Sequence, residues 1–129
     1  VLLVQGRVEY RFQYYATQYL YGQLLAQGVE IYEYRDGFMH AKACVVDGVW
    51  ATLGSSNLDP LSLWMAREAN IALRDETFAG SLRDNVMYAV QHQSDRVLSP
   101  PRHPLAVFLS RLSYGGIRLL VGLLVRQRH

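Results

Sequence analysis

Cysteine is almost missing from this sequence: Cys44 stands alone among 129 residues. With no second thiol there is no internal disulfide and no cysteine-built metal knot, so a disulfide scaffold and a zinc site of that kind are excluded, and the chain suits a reducing compartment or indifference to redox. Charge is also sparse. About a fifth of the residues are charged and the formal net charge is +2, with a pI near 8.8. Such a mild excess permits an anionic partner, phospholipid or nucleic acid, without pointing to either. No basic segment and no small-residue cleavage site precede the opening run Val1-Leu2-Leu3-Val4, and the first residue is not Met. This reads as a truncated start and not as a signal peptide. What is abundant is apolar material, half of the chain. That is enough for one core, and hence for one domain or a fragment of one.

Apolar periodicity switches between two and 3.6 along the chain, which predicts a mixed α/β fold with a sheet and flanking helices. Residues 1–5 form a short apolar strand broken by Gly6. Phe12, Ala16, Tyr19 or Leu20, and Leu24 recur at helical spacing over residues 10–27, with Gly28 placed to end the helix. Its tyrosines, Tyr14, Tyr15 and Tyr19, suit packing better than an aromatic binding platform. Val29, Ile31 and Glu33 alternate with Glu30, Tyr32 and Tyr34 before the turn signal Arg35-Asp36-Gly37, giving a second strand, and a third is expected from about Phe38. Further on, Asp59-Pro60 reads as the cap and first turn of a short helix. Glu68 and Asn70 share one face of a strand, and Phe78, Leu82, Val86 and Val90 mark a helix beginning near Asp75.

The segment 39–53 carries the most local geometry. Asp47-Gly48 lies between Cys44-Val45-Val46 and Val49-Trp50-Ala51, a strong signal for a two-residue hairpin turn. In that register Val46 faces Val49, and counting back places His40 opposite Ser55 on the same face of the ladder. His40, Lys42 and Cys44 then project from one face, while Ala41, Ala43 and Val45 suit the core. Polar His and Lys on so apolar a strand cost free energy unless their face opens onto a cleft or finds partners, so the placement itself suggests a site. Cys44 reads as a small hydrophobe beside that site, not as a nucleophile.

His40-Ala41-Lys42, Asp47 and Gly54-Ser55-Ser56-Asn57 reproduce the spacing HxKxxxxDxxxxxxGSxN, and on these residues the chain resembles the phospholipase D superfamily. The approach through Gly28-Val29-Glu30-Ile31-Tyr32-Glu33-Tyr34, the run Asn57-Leu58-Asp59-Pro60-Leu61-Ser62, and Glu68-Ala69-Asn70 are similar to the second signature region of bacterial cardiolipin synthases, and to the cardiolipin synthase B branch among them. The resemblance covers most of positions 1 to about 95. It implies one half of a phospholipase D-like fold, and it places Glu68 where members of the family carry an acid that orients a catalytic histidine. One departure lies beside it: Ala66 stands where many members have asparagine.

The chemistry accounts for these residue types. A phosphodiester is an anion that repels nucleophiles, and attack on phosphorus by a neutral imidazole forms a covalent phosphohistidine, dividing one hard displacement into two easier ones. A second histidine must protonate the leaving alkoxide and then deprotonate the incoming alcohol. Lys42, Asn57 and the Ser55 hydroxyl can hold the non-bridging oxygens as their charge grows. Glu68 would fix a histidine tautomer, whereas Asp47 at the hairpin tip is mainly a turn residue. No metal and no cofactor are called for. The chain has one copy of the motif, since His92, His103 and His129 lack a lysine two residues on. The resemblance therefore implies a second half, from an N-terminal repeat or a homodimer, and it assigns the acid/base role to His40.

Composition changes after Ser99, so the expected division is a catalytic half over residues 1–99 and a tail over 100–129. Pro100-Pro101-Arg102-His103-Pro104 makes a stiff linker, and residues 105–125 are predominantly apolar before Arg126-Gln127-Arg128-His129. Arg111 and Arg118 interrupt the run and fall on one stripe with Tyr114, Gly115 and Gly122, which predicts an amphipathic helix lying on anionic lipid in preference to a clean span. The competing placement is a helix packed on the missing half. The resulting expectation is a peripheral enzyme on the cytoplasmic side of a bacterial membrane, joining phosphatidylglycerol to a second phospholipid to make cardiolipin, with nucleic acid not expected as a partner. The rivals are a phosphodiesterase or nuclease of the same superfamily and a non-catalytic lipid-binding half-domain.

Overall fold

A computed structural model of the chain describes residues 1–8, 11–55, 68–100 and 104–126, with the backbone alone at 12, 13 and 124–126. The elements in chain order are β1 (Leu2–Gln5), α1 (Arg11–Ala26), β2 (Ile31–Tyr34), β3 (Lys42–Val46), β4 (Trp50–Gly54), β5 (Asn70–Arg74), α2 (Glu76–His92), β6 (Ser94–Val97) and α3 (Pro104–Arg126). They form an α/β fold in two compact units, Val1–Gly37 with Ser94–His129, and Phe38–Gln93. The helix expected at Asp59-Pro60 lies outside the described residues.

The first unit holds a three-stranded mixed sheet of order β1-β2-β6, β1 parallel and β6 antiparallel to β2. Gly6 ends β1 for a steric reason: its amide donates to Tyr34 O at 3.0 Å, and a Cβ there would sit 2.6 Å from that same oxygen. Gly28 ends α1 at φ +80°, where its amide donates to Leu25 O and that of Val29 to Leu24 O, both at 3.0 Å. This is the Schellman closure that a glycine after a helix permits. β6 was not anticipated. Ser94-Asp95-Arg96-Val97 has almost no apolar pattern, and its place in the sheet is supported by side chains instead: Arg96 reaches Glu30 at 2.8 Å and Asp95 reaches Arg35 at 3.0 Å.

Ile31 is fully buried, and Glu33, two residues on and facing the same way, is only 7% exposed. A buried carboxylate is tolerable only when its lone pairs are filled. Gln18 Nε2 and Tyr21 Oη, both from α1, donate to Glu33 Oε1 at 3.1 Å, and Arg35 Nη2 donates to Oε2 at 2.6 Å. Arg35 also donates through Nη1 to Gly6 O at 2.9 Å, so one guanidinium ties together the ends of β1, β2 and β6. The broken alternation of the β2 sequence is this network.

Burial, and after it the Glu33 charge, pushes the Tyr21 phenol well above its usual value, and burial pushes Tyr14 the same way. In the unfolded chain tyrosines ionise near pH 10, while the folded chain still holds the Tyr21 proton. The native state therefore binds more protons above pH 10, and the stability contributed below that pH is lost as pH rises further. Tyr21→Phe is expected to cost about 1 kcal/mol at neutral pH through the lost hydrogen bond. The gap to the wild type should narrow in denaturant titrations above pH 10; a gap constant with pH would remove the phenol from the alkaline transition.

The second unit is a three-stranded antiparallel sheet, β3-β4-β5, with α2 packed on β3 and β4. Asp75 caps α2, its Oδ1 accepting from Phe78 N at 2.8 Å. The helix lies where its periodicity predicts, but its buried residues are Ala79 and Val90, and Phe78 is exposed. Ala51 on β4 completes this small core.

The β3-β4 turn forms at Asp47-Gly48, both with positive φ, +54° and +69°, and Val49 N donates to Val46 O at 3.1 Å. The expected ladder is corrected, however. Val46 pairs with Trp50, not Val49. The Val49 carbonyl accepts from Asp75 N at 2.9 Å, so this residue is committed to the β5-α2 junction and stands as an extra residue in the hairpin. A slip of one residue reverses which faces meet. Lys42 therefore lies opposite Gly54, and His40 is not the partner of Ser55.

Candidate active site

The sequence approaching β3 brings His40 and Lys42 to one side by simple alternation, and their side chains meet: Lys42 Nζ lies 2.7 Å from His40 Nε2. An ammonium has donors only, so this contact uses Nε2 as the acceptor whenever that nitrogen carries no proton. The His40 ring lies nearly parallel to that of Phe38, centroids 6.0 Å apart, and is exposed. Lys42, the one lysine in the sequence, is half-buried. A nucleophilic or proton-carrying ring thus stands beside the chain's one primary ammonium side chain.

Lys42, Gly54 and Asn70 form a single row across β3, β4 and β5. Gly54 contributes no side chain, and the Asn70 amide lies over it: a Cβ at Gly54 would overlap Asn70 Oδ1 and come within 2.6 Å of both Asn70 Cγ and Ala69 O. This is the physical reason for glycine in a strand at that point. Gly54→Ala is expected to force β5 and the Asn70 side chain away, lowering stability by about 1–3 kcal/mol. Thermal unfolding checks it, and an unchanged midpoint would show that the strands yield freely.

Ser55 continues the pairing beyond Gly54. Its amide donates to Ala69 O at 3.0 Å, and its Oγ accepts from Ala69 N at 3.1 Å. The hydroxyl is therefore already engaged as an acceptor, but its proton has only a long contact of 3.5 Å to Ala69 O and can turn to a ligand oxygen. Glu68, half-buried, adjoins the clasped Ala69 and precedes the first residue of β5 by two. Glu68 and His40 each stand two residues before the outer strand that contributes to the Lys42-Gly54-Asn70 row, Glu68 ahead of β5 and His40 ahead of β3.

The remaining candidates are placed differently. Asp47 is exposed at the hairpin tip, five residues of strand and so about 16 Å from Lys42. Geometry does not bring it to the His40-Lys42 pair. Asn57 lies outside the described residues. Cys44 is exposed on the Lys42 side of β3, not enclosed as a small hydrophobe would be. From the sequence Asn70 shares the face of Glu68 and belongs to the stretch Glu68-Ala69-Asn70 that carries the resemblance, with no role in the site. The one signal for its position over the motif was a glycine within a β-forming run.

Over residues 1–88 the sequence matches the family described as "Cardiolipin synthase, PLD-like domain". Cardiolipin synthase B of Salmonella typhi is 41% identical over 104 residues, covering 78% of this chain and 25% of that protein. Cardiolipin synthase B of Escherichia coli is 39% identical over the same length and shares. A cardiolipin synthase of Alkalihalophilus pseudofirmus is 33% identical over 93 residues, 72% of this chain and 18% of its own. The chain spans about a quarter of the length of the first two relatives. No solved structure matches.

Proposed function

This chain belongs to the phospholipase D-like family of cardiolipin synthase domains, and from that membership and the His40-Lys42 pair we propose that it supplies half of a site transferring phosphatidyl groups between phospholipids. The assembled enzyme is this chain together with the half that completes the site, from a repeat or a second copy. Its substrates are phosphatidylglycerol and a second phospholipid, its product is cardiolipin, and it works at the cytoplasmic face of a bacterial membrane.

In the first step a histidine of the completing half attacks phosphorus, the bond from phosphorus to the glycerol oxygen breaks, and His40 gives its proton to the departing alkoxide. In the second step a hydroxyl of the second phospholipid loses its proton to His40 and attacks phosphorus, releasing the first histidine. His40 is thereby returned to its protonated state. The observation that carries this reading is the 2.7 Å contact of Lys42 Nζ with His40 Nε2. Once an anionic phosphodiester enters, the ammonium turns to its non-bridging oxygens and leaves Nε2 free to carry a proton. Ser55 and Asn57 add donors to those oxygens, Glu68 favours the imidazolium, and Asp47 shapes the hairpin.

The test is to offer the assembled enzyme phosphatidylglycerol vesicles and, separately, DNA. Cardiolipin with free glycerol is the expected product, and phosphatidic acid in its place would make the enzyme a hydrolase. Cleaved DNA with untouched lipid would replace the reading with a nuclease.

A further inference from the structure

Helix α3 presents its faces in the reverse of the usual order. Ser110 and Ser113 are 2% and 5% exposed, on the side packed against α1, while Leu105, Phe108, Leu112, Leu119 and Leu123 are each between 52% and 66% exposed. The buried contact is specific. Ser110 Oγ donates to Ala106 O at 2.7 Å, which satisfies the hydroxyl within its own helix, and Tyr114 stacks on Tyr19 of α1 with centroids 4.5 Å apart. The five apolar side chains fall within an arc of about 60° at 100° per residue, its centre about 170° round the helix from Ser110 and about 110° from Ser113. Arg111 and Arg118 share a stripe about 60–80° beyond one edge of that arc, and Arg118 lies over the Tyr114 ring at 5.9 Å. From Arg96 to the end the sequence holds six arginines and no Asp or Glu.

We propose that this exposed Leu/Phe face of α3 is a docking surface for an anionic lipid bilayer, which the helix enters in-plane to headgroup depth while its serine face stays on α1. Charge complementarity selects the occupant: an apolar stripe bordered by arginines, in a stretch free of acids, matches acyl chains beneath phosphate headgroups. From that flank the exposed Arg111 side chain is free to reach a headgroup phosphate, while Arg118 keeps its place over the Tyr114 ring. Residues 104–123 are long and apolar enough to cross a membrane. A span would strip α3 from α1 and place both arginines and both serines in hydrocarbon, whereas in-plane docking leaves every contact described above intact. The face lies beyond the segment matching the family, residues 1–88, so this surface is not inherited from that match. It rests on the lipid reading for its purpose only, because vesicle binding is measured without turnover and the two can fail separately.

The experiment is co-sedimentation of the full chain with vesicles of phosphatidylglycerol in phosphatidylcholine, and with phosphatidylcholine alone. Binding is expected to favour the anionic vesicles. Leu112→Glu with Leu119→Glu should weaken it roughly tenfold or more, and Arg111→Gln by about fivefold on anionic vesicles only. Leu98→Glu, at an exposed leucine outside the helix, should leave it unchanged, and circular dichroism should report the same fold in all four proteins. Depth is read from Phe108→Trp with quenchers fixed at known positions in the acyl chain, and shallow quenching is expected. Undiminished binding by the double glutamate variant, binding indifferent to anionic lipid, or quenching at the bilayer centre would each overturn the proposal. So would a shift of the double variant from dimer to monomer with vesicle binding retained, which would assign the face to a second copy.

Discussion

Replacing His40 by alanine is expected to lower turnover of the assembled enzyme by about 10² to 10⁴-fold, the usual contribution of a positioned acid/base group. The fold should survive. His40 is exposed, and its described contacts are the Phe38 ring and Lys42 Nζ, so its loss opens no core cavity. In the proposed mechanism both steps pass a proton through the same nitrogen, so kcat is expected to fall while KM for phosphatidylglycerol stays close to that of the wild type. Cardiolipin formation measured by lipid mass spectrometry, with circular dichroism as the control on folding, checks the expectation. Wild-type turnover in a well-folded variant would exclude His40 from the chemistry.

Lys42→Met is expected to cost about 10² to 10³-fold in kcat, the range seen when a donor to developing oxyanion charge is removed. Two consequences separate it from the loss at His40. The methionine has no ammonium to turn between the imidazole and the phosphodiester, so ground-state binding weakens as well and KM rises. Lys42→Arg keeps the charge, but its planar fork replaces a compact point charge in a row already occupied by the Asn70 amide over Gly54, so it is expected to restore only part of the rate. Full activity in Lys42→Arg would show that charge alone matters at this position. Full activity in Lys42→Met would take the residue out of the site.

The meeting of His40 and Lys42 could be foreseen in the sequence because their spacing is local. His40 and Lys42 are two residues apart on a strand, and no tertiary information is needed to put them on one side. The Asp47-Gly48 turn was equally legible, since positive φ at consecutive residues favours that pair. The register that follows from it was not legible, because it depends on the Val49 carbonyl bonding to Asp75, a residue 26 positions away. The same limit hid Asn70, whose place over Gly54 follows from the β4-β5 pairing. Burial of Glu33 was hidden too, because the groups that make it tolerable come from α1, from Arg35 and, through Arg35, from the end of β1 and from β6. In α3 the amphipathic character and the arginine stripe could be read from spacing, while the side that would face α1 could not. Two serines in an apolar run look like interruptions until the tyrosine of α1 fixes the contact.

The most direct measurement is an acid quench of the assembled enzyme during turnover of phosphatidylglycerol labelled at phosphorus, followed by identification of the labelled residue. The predicted result is a covalent phosphatidyl group on a histidine of the completing half, none on His40, and cardiolipin released in step with its decay. Label on His40 would contradict the acid/base assignment, and cardiolipin formed with no labelled histidine at any time would contradict the two-step transfer itself.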